Sequence, residues 1–287
     1  MTTTQHTTAP TSTPASTPAT APTDPTDYLF DTGSDQGRHH MDLLSRIFDP
    51  WTLGALDATG VGPGMRCLDV GAGGGSVARW LADRVGPDGE VVAVDLDTTH
   101  LTGIPGVTAR RHDMDDGLPG ALAGPYDLVH ARLALMHMPR RDEIFAELAA
   151  SLAPGGWIVV GDLAGRPLSV ITAPRADDVA VWERIQHLSH AVVAPAGGID
   201  FEWAGRIDAA MVDHGLTEVQ GLEVSRTADG GSPGAQLHAT LNLQAADHLL
   251  AAGATPWQME RYQELLADPG FRAWFYQFVC VRGRRPA

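Results

Sequence analysis

The chain of 287 residues carries 35 acidic and 20 basic residues, which gives a net charge of −15, and 44% of its residues are hydrophobic. A chain this acidic is poorly suited to neutralising the phosphates of RNA or DNA, so we expect no nucleic-acid partner. Every basic residue is an arginine, which excludes enzymes that need a lysine for a Schiff base or for nucleotide phosphates.

The N-terminal part of the chain divides into a tail and a helical cap. Residues 1–27 consist almost entirely of Thr, Ala, Pro and Ser, and this composition predicts a disordered tail. Residues 28–60 form the predicted cap. Apolar residues recur there at helical spacing over Met41–Phe48, Pro50 ends this first helix, and a second short helix is predicted at 53–58.

Residues 61–287 form the predicted main domain, in which strand-like and helix-like patterns alternate. Buried strands are predicted at Arg66–Val70, Glu90–Val94, Val107–Arg111, Asp127–His130 and Gly156–Gly161, followed by strand-like Thr217–Arg226 and Phe271–Val281. Short apolar strands joined by helices pair in parallel and are covered by helices on both faces. The predicted fold class is therefore α/β, with a doubly wound, mostly parallel sheet of seven strands.

Helical patterns connect or follow these strands. They occur at Asp142–Leu152, Asp178–Val193, Trp203–His214, Ala235–Ala252 and Pro256–Leu266. We expect the helices around 174–205 and 235–268 to form a lid over the C-terminal edge of the sheet. Trp182 and Trp203 flank this lid, and they are either core residues or stacking surfaces for a flat aromatic substrate.

The turn after the first predicted strand is rich in glycine. Residues 67–76 read CLDVGAGGGS, and such a turn between a strand and a helix exposes backbone amides to a ligand. A dinucleotide fingerprint requires G-x-G-x-x-G/A, but counting from Gly71 its last position is Ser76. An acidic residue, Asp69, also interrupts the apolar strand. Both features disfavour an NAD(P) oxidoreductase.

Two later segments also point to an adenosyl ligand. Asp95 ends the second strand, where a carboxylate can accept both hydroxyl groups of a ribose. After the third strand, Asp113 can accept a proton of the adenine amino group, and Met114 can pack on the ring.

Other features of the sequence concern location and metals. No run of about 20 apolar residues is present, and the N-terminus lacks the basic and apolar regions of a signal peptide. We therefore predict a cytoplasmic protein with no membrane partner. Cys67 and Cys280 are too few for a disulfide framework or a thiolate site, so we expect reduced thiols and no metal. The oligomeric state is open, with a homodimer as one option.

Five segments in order, DVGAGGG, VVAVD, RRHD, YDLVHAR and LAPGGW, resemble the motif set of class I S-adenosylmethionine-dependent methyltransferases, over about residues 28–284. The resemblance implies that S-adenosylmethionine is the cofactor and S-adenosylhomocysteine the product. The implied cofactor-binding residues are Asp69, Gly71, Ala72, Gly73, Asp95, Leu96, Asp113, Met114, His130 and Arg132. By resemblance, Asp69 and the glycines hold the methionine moiety, and the turn at 130–132 lies near the sulfonium.

Within this family, the chain resembles actinobacterial natural-product methyltransferases, which methylate oxygen, nitrogen or indole carbon. The implied substrate is a small molecule, and an aromatic natural product is the class we expect. Candidates for a general base are Tyr28, His130, His187 and a carboxylate of the lid, and the sequence does not choose among them.

Three alternatives stay open besides methyl transfer. A protein of the same fold can bind S-adenosylmethionine and catalyse a cyclisation without methylation. An NAD(P) oxidoreductase comes second, and a non-catalytic regulator that keeps a degenerate cofactor site comes third. The mass of the product separates the first alternative from a methyltransferase.

Overall fold

The computed structural model describes residues 35–166 and 168–287. The helices are α1 (Asp35–Asp57), α2 (Ser76–Val85), α3 (Arg141–Ala150), α4 (Asp178–His187), α5 (Ala194–Ala196), α6 (Trp203–Asp213), α7 (Pro233–Gln244), α8 (Ala246–Ala251) and α9 (Pro256–Ala267). The strands are β1 (Arg66–Val70), β2 (Glu90–Asp95), β3 (Val107–Arg111), β4 (Tyr126–Arg132), β5 (Leu152–Leu163), β6 (Val170–Thr172), β7 (Thr217–Asp229) and β8 (Arg272–Arg284). A π-helix at Leu188–Val193 joins α4 to α5. The predicted disordered tail, 1–27, lies outside the described residues.

One sheet organises the molecule, in the strand order β3-β2-β1-β4-β5-β8-β6, with β7 paired to β8. The first five strands pair in parallel, and β8 runs antiparallel to β5, β6 and β7. The predicted α/β class with a mostly parallel sheet is confirmed. The sequence patterns missed the three-residue strand β6.

Helices cover both faces of the sheet, as the buried strands require. Because successive side chains of a strand point to opposite faces, Cys67 packs into one core and its neighbour Leu68 into the other. Helices α1, α2, α4, α7 and α9 contribute to the first core, and α3 and α6 contribute to the second. Trp182 and Trp203 are both 0% exposed, so of the two predicted roles they have the core role.

The predicted break of the N-terminal helix at Pro50 is wrong. A single helix, α1, runs through Pro50. A proline removes one backbone hydrogen bond from a helix, but tertiary packing can hold the helix together across that position. Here Phe48 on one side and Leu56 on the other are both buried. Their burial stabilises both halves of the helix on the same core.

The predicted boundary of the helix at Asp142–Leu152 also differs from the structure. Helix α3 ends at Ala150, and Leu152 begins β5 by pairing with Tyr126 of β4. Leu152 thus pairs with the sheet, although the helical spacing of the apolar residues had placed it in the helix. Within residues 35–166 and 168–287, no helix combines the length and the apolar composition that a membrane span requires.

Candidate functional site

A cleft of about 650 Å³ opens at the C-terminal ends of β1, β2 and β4. From β1 the chain continues outward through β2 to β3, and it then crosses back to form β4 on the other side of β1. The strand order therefore reverses between β1 and β4. In open α/β sheets, ligands bind at such a reversal, outside the carboxyl ends of the strands. The volume lies within the range of small-molecule and cofactor sites, which is about 300–1,000 Å³.

The glycine turn forms the floor of the cleft, and its conformation requires glycine. Gly71 and Gly73 have φ values of +65° and +52°, in the left-handed region where other residues are strained. A Cβ atom on Gly71 would lie 2.5 Å from the Cβ of Ala134. A Cβ atom on Gly73 would lie 3.1 Å from the sulfur of Met41, so α1 lies directly on the turn. Ala72 lines the cleft between the two glycines.

Asp95 ties the glycine turn to the end of β2. Its Oδ2 accepts the backbone N–H of Gly73 at 2.8 Å, and its Oδ1 accepts that of Asp97 at 3.1 Å. Burial raises the pKa of Asp95, and these two amide hydrogen bonds act in the opposite direction. A carboxylate offers about four lone-pair positions, so Asp95 can still accept hydrogen bonds from a ligand.

Asp69 and His130 form a buried pair in the adjacent strands β1 and β4. His130 Nδ1 lies 2.7 Å from Asp69 Oδ1, and the two residues are 2% and 1% exposed. Both line the cleft. Asp69 Oδ2 and His130 Nε2 have no hydrogen-bond partner within the described part of the chain. Nδ1 donates to an ionised carboxylate, and Asp69 Oδ2 is then an open acceptor on a residue that lines the cleft.

At the ends of β2 and β3, the cleft is lined by two apolar side chains and an acidic turn. Leu96 is 50% exposed and Met114 is buried, and both line the cleft. Asp113 caps a one-turn helix by accepting the N–H of Asp115 at 3.0 Å. Capping occupies only Oδ1, and a carboxylate has a second oxygen for another donor.

Arg132 lines the cleft, but its guanidinium is directed to α1. Nη1 donates to Asp49 Oδ1 at 2.6 Å, and Nη2 donates to Ser76 Oγ at 3.4 Å. Ser76 Oγ in turn donates to the same oxygen of Asp49 at 3.1 Å. These contacts fasten α1 to the beginning of α2 and hold it over the glycine turn. Sequence reasoning assigned Arg132 to the cofactor and missed this link to α1.

The other predicted catalytic candidates are placed differently from His130. Tyr28 lies outside the described residues. His187 is exposed at the end of α4 and does not line the cleft, so its catalytic role stays a prediction that this geometry does not support. His137, interpreted from the sequence as structural, does line the cleft, and burial lowers its pKa to about 4. In the part of the chain that the structure describes, no three His, Cys, Asp or Glu side chains are arranged to hold a metal ion.

The fold and the cleft together define an α/β protein with a cleft at a strand-order reversal, where sheets of this kind bind ligands. The family is established by the match of residues 34–220 to the model of a family described as methyltransferase domain. This match covers more than half of the chain, and the chain belongs to that family.

Several curated relatives match the chain over part of its length. The ubiquinone/menaquinone biosynthesis C-methyltransferase UbiE of Laribacter hongkongensis is 34% identical over 128 residues, which are 41% of this chain and 49% of the relative. The ubiquinone biosynthesis O-methyltransferase of Burkholderia orbicola is 33% identical over 127 residues, which are 40% of this chain and 51% of the relative. The chain thus spans about half the length of these relatives.

Solved structures share the fold at low identity. Phosphoethanolamine N-methyltransferase 2 of Haemonchus contortus, in complex with S-adenosyl-L-methionine, superposes with a TM-score of 0.51 and 16% identity, over 88% of this chain and 58% of that one. A cyclopropane-fatty-acyl-phospholipid synthase-like protein of Lactobacillus casei superposes with a TM-score of 0.54 and 16% identity, over 87% and 91%.

Proposed function

We propose that the cleft binds S-adenosylmethionine and that the protein transfers its methyl group to a small molecule. The observation that carries this proposal is the connection between the glycine turn and Asp95. A tight turn with exposed amides and a carboxylate at the end of the neighbouring strand suit a ligand that joins an adenosyl group to a polar chain.

The residues of the cleft fit the three parts of this cofactor. Asp95 would accept the ribose hydroxyls, and Leu96 with Met114 would enclose the adenine. At the other end, Asp69 Oδ2 is a carboxyl oxygen with no partner among the described residues. An open carboxylate oxygen suits the ammonium group and the sulfonium of S-adenosylmethionine, because both are cationic.

When bound, the cofactor supplies a methyl group on a positively charged sulfur, which a nucleophile can displace in line. The protein's main contribution is then to orient the reactants in a site that excludes water. Met41 covers the glycine turn, and the Arg132–Asp49 pair holds α1 in that position. We further propose that α4, α7 and α9 act with α1 as a lid over the acceptor.

The class of acceptor is also part of the proposal. We propose an aromatic small molecule, as in natural-product methyltransferases, with oxygen, nitrogen or an indole carbon as the accepting atom. The curated relatives include a C-methyltransferase and an O-methyltransferase by name, so the comparison supports methyl transfer without selecting the atom.

The first experiment is binding and turnover measured on one preparation. Calorimetry with S-adenosylmethionine, S-adenosylhomocysteine and NAD should show binding of the two sulfur nucleotides and no binding of NAD. Mass spectrometry of aromatic test compounds after incubation with S-adenosylmethionine should show a gain of one methyl group. A product of unchanged mass would instead indicate a cyclisation, and binding of NAD alone would indicate an oxidoreductase.

A further inference from the structure

Four aromatic rings form a column that runs from Phe201, which packs against the second core, to Tyr276 in the first core. Phe201 and His190 stack with their centroids 5.0 Å apart at an interplanar angle of 25°, and His238 and Tyr276 stack at 4.4 Å and 29°. The two imidazoles face each other at 6.4 Å and 14°. The distance between the imidazoles is the widest in the column. A ring inserted between two others needs roughly 7 Å, at about 3.5 Å per contact, and this distance comes closest to that value.

Polar atoms without partners surround this column. Within residues 35–166 and 168–287, His238 Nε2, the hydroxyl of Tyr276 and Oε1 of Gln186 are buried and have no hydrogen-bond partner. Gln186 Nε2 contacts the hydroxyl of Tyr262 at 2.5 Å and His238 Nδ1 at 3.3 Å. Since Nδ1 accepts from this amide, Nε2 of His238 carries the proton and is a free donor. Buried polar groups are normally paired, so a cluster of open ones needs an explanation.

The backbone departs from regular geometry at two places that build the column. In the pairing of β7 with β8, Ser225 is opposite Gln277 and Arg226 is opposite Phe275, so Tyr276 is the extra residue of a β-bulge. Its φ of +49° lies in the left-handed region, which is strained for a tyrosine. A bulge re-aims a side chain, and here Tyr276 joins Phe275 on the same face.

The second departure is the π-helix at Leu188–Val193, which carries His190. π-Helical turns are rare and occur frequently at functional sites. Two uncommon backbone features therefore bring His190 and Tyr276 to the same column, from opposite sides of His238.

Side-chain packing along α1 links the column to the cofactor cleft. Met41, Leu44 and Ser45 line the cleft. Phe48 follows these residues by seven, four and three positions, and each of these spacings places it on the same face of the helix. The ring of Phe48 contacts that of Tyr276 at 5.7 Å, edge to face. Four residues of helix, about 6 Å, therefore separate Leu44 in the cleft from the residue that touches the column.

The chemistry of the column specifies its ligand. Burial lowers the pKa of His190 to about 4 and the pKa of His238 well below its usual range, so both rings are neutral at pH 7. No charged side chain contributes to the stack of rings. A charged ligand would lose its hydration without gaining an opposite charge, whereas a neutral ring with a hydroxyl can stack and use the open donors and acceptors.

We infer that His190, His238, Tyr276 and Gln186, which we call the ring cluster, bind a neutral hydroxylated aromatic ring. This inference rests on the proposed function, because the ring belongs to the molecule that accepts the methyl group. The ring cluster binds it by stacking against the imidazoles, with His238 Nε2 donating to the oxygen of its hydroxyl and the hydroxyl donating to that of Tyr276.

The test is calorimetric titration of p-cresol, toluene and 4-methylbenzoate into protein saturated with S-adenosylhomocysteine. p-Cresol is expected to bind, toluene at least tenfold more weakly because it lacks the hydroxyl, and 4-methylbenzoate not at all. Tyr276→Phe and His238→Phe keep a flat ring and remove one polar group each. Each should weaken p-cresol binding about tenfold, and neither should change the affinity for toluene.

Tyr126→Phe is the matched control, since Tyr126 is also fully buried but lies in the second core and donates to the carbonyl of Leu122 at 3.0 Å. It should lower the melting temperature and leave p-cresol binding unchanged. Tyr276→Phe should leave the melting temperature unchanged or higher, because it removes a hydroxyl that has no partner. A decrease as large as that of Tyr126→Phe would show that the hydroxyl is satisfied within the fold, and the inference would be wrong.

The proposal for the cofactor site and the inference about the ring cluster can be refuted separately. If S-adenosylhomocysteine binds but p-cresol does not bind at millimolar concentration, the inference is overturned and the cofactor site stands. If S-adenosylhomocysteine does not bind, the proposed function fails. The same titrations of unliganded protein then test the ring cluster alone. Binding of p-cresol that Tyr276→Phe weakens would still support the ring cluster, and absence of binding would overturn it.

Discussion

Asp162 lies near the end of β5 with its carboxyl group completely buried. The backbone amides of Ala134 and Met136 and the indole of Trp203 lie near enough to favour the ionised form, but burial outweighs them and raises the pKa of Asp162 to about 8. The ordinary value is 3.8. Between these two values the native state holds a proton that the unfolded state has lost, so the free energy of unfolding should fall as the pH rises.

The perturbation that isolates this effect is Asp162→Asn, which keeps the shape of the side chain and removes its ionisation. The slope for one proton is about 1.36 kcal/mol per pH unit. Relative to wild type, the variant should gain about 3 kcal/mol of stability between pH 5.5 and pH 8. Above pH 8 the gain should level off, because the carboxyl group is then ionised in both states.

Urea unfolding followed by tryptophan fluorescence at several pH values measures this gain. Asp213→Asn is the control, because Asp213 is an exposed carboxylate on α6, and the same substitution there tests whether the gain requires a buried carboxyl group. If the difference between Asp162→Asn and wild type were the same at pH 5.5 and pH 8, Asp162 would be ionised in the native protein. The account of its burial would then be refuted.

Two further predictions concern the floor and the cover of the cleft. Gly71→Ala and Gly60→Ala both place a side chain at positive φ, which should cost about 1 kcal/mol of stability at Gly60. Gly71→Ala should cost more and should also weaken cofactor binding, because its Cβ would lie 2.5 Å from that of Ala134, whereas the Cβ at Gly60 would meet nothing within 4 Å. Equal cofactor affinities in calorimetry would contradict the close fit of the turn. Arg132→Gln should lower stability in urea by about 1–2 kcal/mol, since its pair with Asp49 is only partly buried, and should weaken cofactor binding by releasing α1. Unchanged affinity would show that α1 is held in another way.

The sequence predicted the fold class and the region of the cleft well, because both depend on local patterns. Runs of apolar residues such as Val91–Val94 indicate buried parallel strands, and the spacing of Gly71, Gly73 and Asp95 indicates a ligand turn beside a strand end. The apolar runs and the glycine turn are each contiguous in the chain, and Asp95 is marked by its place at the end of the next apolar run. The structure brings all three residues to the cleft.

The features that the sequence did not predict depend on long-range packing. Pro50 ordinarily ends a helix, and its acceptance within α1 follows from the burial of both halves. The π-helix shifts the helical register after Leu188, so a period of 3.6 residues does not predict which later side chains face the core. The sequence reading named His187, which is exposed, as a candidate base, and it gave no catalytic role to His190, which stacks in the ring cluster. No residue pattern in β8 marks the bulge that turns Tyr276 inward.

The central claim, that the cleft binds S-adenosylmethionine with Asp95 on its ribose, is tested most directly by calorimetry on wild type and Asp95→Asn. The asparagine retains one acceptor for the glycine turn but removes the charge, and each charge-assisted hydrogen bond is worth roughly 1.5–3 kcal/mol. We predict that wild type binds S-adenosylmethionine and S-adenosylhomocysteine but not NAD, and that the variant binds both sulfur nucleotides at least tenfold more weakly. Absence of binding to wild type at millimolar concentration, or equal affinities for the two proteins, would contradict the claim.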